Sequence, residues 1–422
     1  MKHFVLHGDI CYCEAPGRMS FFPSGWLVCD EGRSAGVFGA LPEKYEEWPV
    51  VDCSGRLILP GLCDLHVHAP QFAYRGLGMD MELIEWLNRN AFPEEARYAD
   101  ETYADRAYAQ FADDLRRGFT TRASVFATLH VPATLLLAQK LEQSGLMGYV
   151  GKVNMDRNSP ENLREESAAA SLADTERWLD EAARFERVRP ILTPRFIPSC
   201  SDELTRGLGR LSRERDLPVQ SHLSENVAEI EWVKQLCPDA KGYADAYERA
   251  GLLSERTVMA HVVHPTEEEI KLLAERRVMA AHCPASNMNL ASGIAPVRRL
   301  LEAGVRVGLG SDVAGGQTTD MMRAVTDAIQ VSKLRWRLAD QAAKPLTLPE
   351  ALYLATKGGG AFFGKVGSFE PGYELDAIVL DDSAIVCSRP MSVEERVQRA
   401  VYLSGQCRLV RKFVAGRPID IN

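Results

Sequence analysis

The chain has 422 residues, 46% hydrophobic and 25% charged, a usage that excludes disordered, collagen-like and low-complexity classes. Its 49 basic residues against 58 acidic ones leave a net charge of −9. Such a surface lacks the basic footprint that grips phosphate backbones, so nucleic acid is not an expected partner.

Residues Phe4 to Leu59 read as short strands and turns: FVLHGDICYC, GWLVCD, SAGVFGAL and VVDCSGRLIL. Helical periodicity is absent there, and Gly8-Asp9, Ser24-Gly25 and Ser54-Gly55 are turn signals. The amino terminus lacks an apolar core followed by a small-residue cleavage site. The ten cysteines are scattered with no CxxC pair, so reduced, mostly buried thiols in a cytoplasmic protein are expected.

From Leu62 to about Gly364 the pattern changes. Eight β-rich runs alternate with amphipathic segments: LCDLHVH, TTRASVFA, GYVGKVNM, RPILTPRF, PVQSHLS, TVMAHVV, VMAAHCP and VRVGLGSD. Helical stretches such as ERWLDEAARFERV and EEEIKLLAERR lie between them. Thr266 with Glu269, and Thr347 with Glu350, have capping-box spacing that marks helix starts. Eightfold strand–helix alternation argues for an α/β fold of the (β/α)8 TIM-barrel type. A doubly wound nucleotide-binding sheet would need a Gly-rich loop after its first strand, and none is there. Within this region the longest apolar stretch, near Leu129–Leu141, is broken by His130, Pro132 and Lys140 and is too short to span a bilayer, so no membrane partner is expected. Strand character returns after Gly364 in LDAIVLD and LVRKFVAGRPI. The expected division is a small β-sandwich domain from residues 1–59 plus 365–422, beside a barrel of residues 60–364.

The chemistry concentrates at strand ends. His66 and His68 stand two apart on the first parallel strand, and a period of two sends both to one face. His222, His261 and Asp312 lie near the carboxyl ends of the fifth, sixth and eighth strands, where such barrels carry their catalytic residues. His66 and Asp312 are 246 residues apart, or about 35 per repeat over seven repeats, the size expected of βα units. Nitrogen and oxygen donors without thiolate suit Zn2+ or Fe2+ with an open position for water. Glu225, three residues after His222, is placed to act as general acid and base beside a metal-activated water. Lys152 on the third strand reads as a structural or exposed lysine, because one metal already has enough ligands.

PGLCDLHVHAPQ, TPRFIPSCS, QSHLSEN, TVMAH, AHCPASN and GLGSDVAGG together resemble the amidohydrolase superfamily and, within it, the guanine deaminase family. Gln71, Trp86-Leu87, Phe92-Pro93, Arg195-Phe196 and Ser224-Glu225-Asn226 are the more specific matches. The resemblance implies one zinc per subunit held by His66, His68, His222 and Asp312, with His261 near the metal's water. It implies a purine base contacted by His68, Gln71, Arg195, Phe196, His222, Glu225 and Asp312. The reaction implied is hydrolytic deamination of guanine to xanthine and ammonia, with Glu225, His261 and Asp312 catalytic and Glu225 as proton shuttle to a metal-bound hydroxide. A homodimer is also implied. Another aminopurine, a pterin or a chlorinated triazine is the alternative substrate, and a non-catalytic scaffold ranks last. Two departures stand out: Pro70 replaces a small polar residue, and Val262-Val263-His264 follows the sixth-strand histidine. From the sequence, His264 faces either the pocket or solvent.

Overall fold

The computed structural model describes residues 2–421. Its strands run in chain order as β1 (His3–Ala15), β2 (Arg18–Asp30), β3 (Arg33–Phe38) and β4 (Val50–Pro60). Next come β5 (Leu62–His68), β6 (Thr120–Phe126), β7 (Met147–Gly151), β8 (Val153–Asn154), β9 (Val188–Pro190) and β10 (Thr193–Pro194). They continue as β11 (Val219–Leu223), β12 (Thr257–His261), β13 (Met279–His282) and β14 (Arg306–Leu309), and end with β15 (Ala377–Asp381), β16 (Arg408–Val414) and β17 (Arg417–Ile419).

Both chain ends build one seven-stranded sheet in the order β17-β16-β15-β4-β1-β2-β3. The expected turns at Gly8, Ser24-Gly25 and Ser54-Gly55 are instead irregularities inside continuous strands. Register shifts fall between Gly8 and Ile10 against β2 and between His7 and Asp9 against β4. Ser24 and Gly55 there take positive φ, at 48° and 72°. Bulges at one level of three neighbouring strands bend them together. The sheet curls: Phe4 of β1 stacks on Phe413 of β16 at 5.3 Å between ring centroids, although two strands separate them in the sheet. Arg33 at the opposite edge forms an antiparallel bridge with Glu374, just before β15. The small unit therefore encloses its core within one curled sheet.

Strands β5 to β14 are parallel, with β5-β6-β7-β9 and β11-β12-β13-β14 as two four-stranded sheets and β8-β10 as a short pair. Every residue of β5 and β6 is buried, as strands covered on both faces must be. The third and fourth expected strands are each interrupted, as β7/β8 at Lys152 and β9/β10 at Ile191-Leu192. Leu192 bridges in parallel to Val219, carrying the pairing across the interruption. At the far side Asp312 N donates to His66 O at 2.8 Å and His68 N to Val313 O at 2.9 Å, joining the end of the last parallel strand to the first.

The intervening helices begin where capping residues place them. Thr266 with Glu269 and Thr347 with Glu350 both form reciprocal capping boxes. The stretch expected as a helix over ERWLDEAARFERV is helical only as far as Ala182, within a helix Ala168–Ala182 that starts earlier. In the carboxy-terminal segment a helix, Val393–Tyr402, enters where strands alone are expected. Its Ser392/Glu395 capping box gives the local reason.

Candidate active site

Strand ends deliver the site. His66 and His68 leave β5 on one face, and His222, His261 and Asp312 join them from the ends of β11 and β12 and just past β14. His68 Nε2 lies 3.2 Å from His66 Nε2 and 3.1 Å from His222 Nε2. Asp312 Oδ1 is 3.1 Å from His66 Nε2 and 3.6 Å from His68 Nε2. Phe126 packs against all three imidazoles and closes the cluster on one side. The backbone is bent to achieve this: Ser224, His261 and Asp312 take φ of 49°, 74° and 45°, conformations that non-glycine residues hold only where the surroundings impose them.

These donors fit a divalent cation. His222 Nδ1 is 2.6 Å from the carbonyl oxygen of Arg195, which only accepts, so Nδ1 carries the proton and Nε2 presents its lone pair to the cluster. A tetrahedral zinc with bonds of about 2.0–2.1 Å sets nitrogens about 3.3 Å apart, close to the spacing here. Burial lowers the affinity of His66, His68 and His222 for protons, which keeps them in the neutral ligating form. Burial alone would raise Asp312, yet the facing His66, His261 and His68 hold its carboxyl below the usual range. Cys283 is also within reach, beside His261 and Asp312, but burial pushes its thiol up and away from the thiolate that a metal takes. The structure thus contains a possible metal-binding His/Asp group.

Glu225 stands at the edge of this group. Its Oε2 is 3.3 Å from His261 Nε2, which is buried and among the described residues makes no hydrogen bond, and Ser292 Oγ donates to its Oε1 at 3.3 Å. Burial, and then the carboxylates of Glu229 and Asp312, raise its pKa well above the ordinary glutamate value. His261 Nδ1 lies 2.9 Å from Asn287 Oδ1, which leaves Nε2 facing Glu225 and Asp312.

A pocket opens over the cluster, lined on its polar side by Gln71, Arg195 and Glu225 and on its apolar side by Leu83, Trp86, Leu87 and Phe196. All the expected site residues except His66 line it, and His66 sits directly beneath. His264 is exposed and its Nε2 contacts Ser292 O at 2.6 Å, so it braces the loop that reaches Glu225 rather than entering the pocket. Lys152 is buried and paired with Glu165, outside the cluster, which makes it structural and not exposed.

Sequence reasoning misses four residues that support this site: Glu95, Glu229, Asn287 and Ser292. Glu229 Oε2 accepts the backbone N–H groups of Glu225, at 3.0 Å, and Asn226. Its Oε1 accepts the Tyr243 hydroxyl at 2.5 Å. The Asn226–Glu229 spacing is itself a capping box, a signal that could have drawn attention to Glu229.

The sequence matches the amidohydrolase family over residues 57–418. Guanine deaminase of Dictyostelium discoideum is 38% identical over 98% of this chain and 98% of that protein. Guanine deaminase of Homo sapiens is 36% identical, covering 93% of this chain and 91% of its own. Among solved structures, guanine deaminase from C. acetobutylicum with guanine bound in the active site superposes with a TM-score of 0.96 at 42% identity, over 99% of this chain and 100% of that one.

Proposed function

The chain belongs to the amidohydrolase family, and we propose that it catalyses the hydrolytic deamination of guanine to xanthine and ammonia. The observation that carries this reading is one cavity that lies over a three-imidazole, one-carboxylate cluster and is edged by arginine and glutamine, in a fold matched end to end by a guanine-bound deaminase.

We assign the ligands of one zinc ion per subunit to His66, His68, His222 and Asp312, with Fe2+ admitted by the same donors. Such a cation supplies Lewis-acid chemistry, lowering the pKa of a nearby water towards about 7. The rest falls to the chain's own groups. Arg195 and Gln71 grip the oxo edge of the base, Phe196 and Trp86 flank its ring, and Leu83 and Leu87 exclude bulk water. Arginine has only donors to offer, which favours an oxo-purine over an adenine-like ring. Glu225 accepts a proton from the attacking water and delivers it to a ring nitrogen beside C2, while the water oxygen bonds to C2. His261, whose Nε2 faces Glu225 and Asp312 at the reacting centre, steadies the tetrahedral carbon. A second proton, carried by Glu225 or Asp312, reaches the amino group, the C2–N bond breaks, and ammonia leaves. A pKa raised by burial and by the neighbouring carboxylates suits a carboxyl that takes up a proton in one step and gives it to substrate in the next.

We further propose that the parallel strands close as a (β/α)8 barrel of residues 60–364, and that residues 1–59 plus 365–422 form the small β-sandwich domain, its two layers being the facing halves of the one curled sheet. The backbone bonds from Asp312 to His66 and from His68 to Val313 support closure, and the Phe4–Phe413 stacking supports the second unit. A cytoplasmic homodimer completes the proposal. Ten free thiols support the reducing compartment, and the prevalence of symmetric pairs among soluble enzymes supports the dimer. Replacement of His222 tests the ligand assignment: His222→Ala should lose bound metal and turnover together, and retention of both would contradict it.

A further inference from the structure

Behind the pocket lies a carboxylate that the reaction itself does not use. Glu95 is 1% exposed and sits on a short helix, Phe92–Ala96. Its Oε1 accepts from Gln71 Nε2 at 2.6 Å and its Oε2 from Arg195 Nη1 at 2.5 Å, so one side chain ties together two residues that come from different strand ends. The same helix sets the Phe92 ring 5.1 Å from the Arg195 guanidinium. On its other side Gln71 Oε1 accepts from Ala314 N at 3.1 Å.

We infer that Glu95 is a positioning and specificity-determining residue: it locks Gln71 and Arg195 into one rigid hydrogen-bonding edge and cancels the arginine's charge, so that the pocket takes a neutral oxo-purine in preference to an anionic one. The inference deepens the guanine reading and rests on it. First, the Gln71 amide is held at both ends. Flipping it would set an N–H against the Ala314 N–H and an oxygen against the carboxylate, so the atoms it has left for a ligand point one way only. Second, Arg195 is 3% exposed, and among the described residues its ion-pair partner is Glu95. A buried cation without a partner is costly and becomes a site for anions. Paired, it leaves a planar fork of donors on a neutral edge, which suits a carbonyl oxygen. The distinction matters because the dioxo-purine product gives up a proton more readily than guanine does. An uncompensated Arg195 would retain that anion after the reaction.

The test compares the metal-loaded wild type with Glu95→Gln and Glu95→Asp. Glutamine is nearly isosteric but offers one acceptor and one donor group, so it can satisfy only one of the two partners and cannot cancel the charge. Aspartate keeps the charge while shortening the reach. Hypoxanthine and purine differ in the 6-oxo group and the N1–H that accompanies it, and both lack the amino group that would be hydrolysed, so their dissociation constants read the edge without turnover. Xanthine, titrated below and above its ionisation, reads the preference for an anion. In Glu95→Gln the preference for hypoxanthine over purine should fall about tenfold to a hundredfold with metal content unchanged. In the same variant, xanthine binding above its ionisation should tighten relative to below it. In Glu95→Asp the oxo preference should fall while the response to xanthine charge stays as in wild type. If Glu95→Gln does not fold, the aspartate comparison carries the test alone. An unchanged hypoxanthine-to-purine ratio in the variants, including one left by equal weakening of both ligands, would overturn the inference, as would a xanthine response in Glu95→Gln that matches wild type. Failure of the wild type to turn over guanine would instead strike the functional reading, and it is seen in a separate assay.

Discussion

Replacing His282 by leucine should flatten the acid limb of the protein's stability curve. His282 ends β13, is 3% exposed, and among the described residues neither ring nitrogen has a hydrogen-bond partner. Burial, helped by the nearby His261, lowers its pKa to about 3. In the unfolded chain the same imidazole titrates at about 6.5. The folded state therefore binds fewer protons between these values, and the stability gained by keeping the ring neutral is present above the unfolded pKa and lost as pH falls. The slope is about 1.4 kcal/mol per pH unit, so between pH 7 and pH 5 this residue alone costs the fold about 2 kcal/mol. Leucine has similar volume, cannot titrate, and removes two unpaired buried nitrogens, so the variant should be at least as stable as wild type at pH 7. Urea unfolding of both proteins at pH 7 and pH 5 measures the effect, and the difference between the two proteins should widen by about 2 kcal/mol on acidification. The buried histidines that do not interact with His282 are common to both proteins and cancel in that difference. A gap that stays constant with pH would refute the reasoning and mean that His282 is solvated or partnered in solution.

Glu225→Gln keeps the volume but cannot shuttle protons, so bound metal should persist while kcat falls by about 10²–10⁴, as read by single-sample metal analysis and turnover. Arg195→Lys exchanges a planar fork for a compact charge, and kcat/KM for guanine should fall about tenfold to a hundredfold, equivalent to about 1–3 kcal/mol, with a smaller loss on a purine lacking the 6-oxo group. Lys412 is buried, its pKa drawn down to about 7 by that burial, and its Nζ contacts the carbonyl oxygens of Leu115, Arg116 and Gly118 at the end of helix Glu101–Arg117. Lys412→Met should therefore destabilise the protein by about 2–5 kcal/mol in urea unfolding, and a change below about 0.5 kcal/mol would show that water replaces the lysine.

The residues legible in the sequence are those that strand geometry places. A period of two forces His66 and His68 to one face, and His222, His261 and Asp312 each lie at or just past the carboxyl end of a β-rich run. Glu95 is not legible, because nothing in FPEEA separates it from Glu94. Only the fold does so. Glu94 turns outward to Arg97 and Tyr103, whereas Glu95 is buried against Gln71 and Arg195. That rotation follows a π-turn over Leu87–Ala91, whose extra residue per turn escapes any pattern tuned to 3.6. The three amino-terminal turn signals fail for a related reason. Glycine with a small polar neighbour serves a bulge as well as a turn, and only pairing with adjacent strands decides between them. The interruptions at Lys152 and Leu192 also lie beyond sequence reading, since a buried Lys–Glu pair and a change of strand partner are both tertiary events.

The most direct test of the account is guanine turnover by the purified protein, followed as xanthine and ammonia formation, with metal content measured on the same sample. The account predicts stoichiometric release of both products and about one divalent metal ion per chain, with activity lost on chelation and restored by adding the metal back. Fully metallated protein that leaves guanine unchanged while deaminating another amino-heterocycle would contradict it.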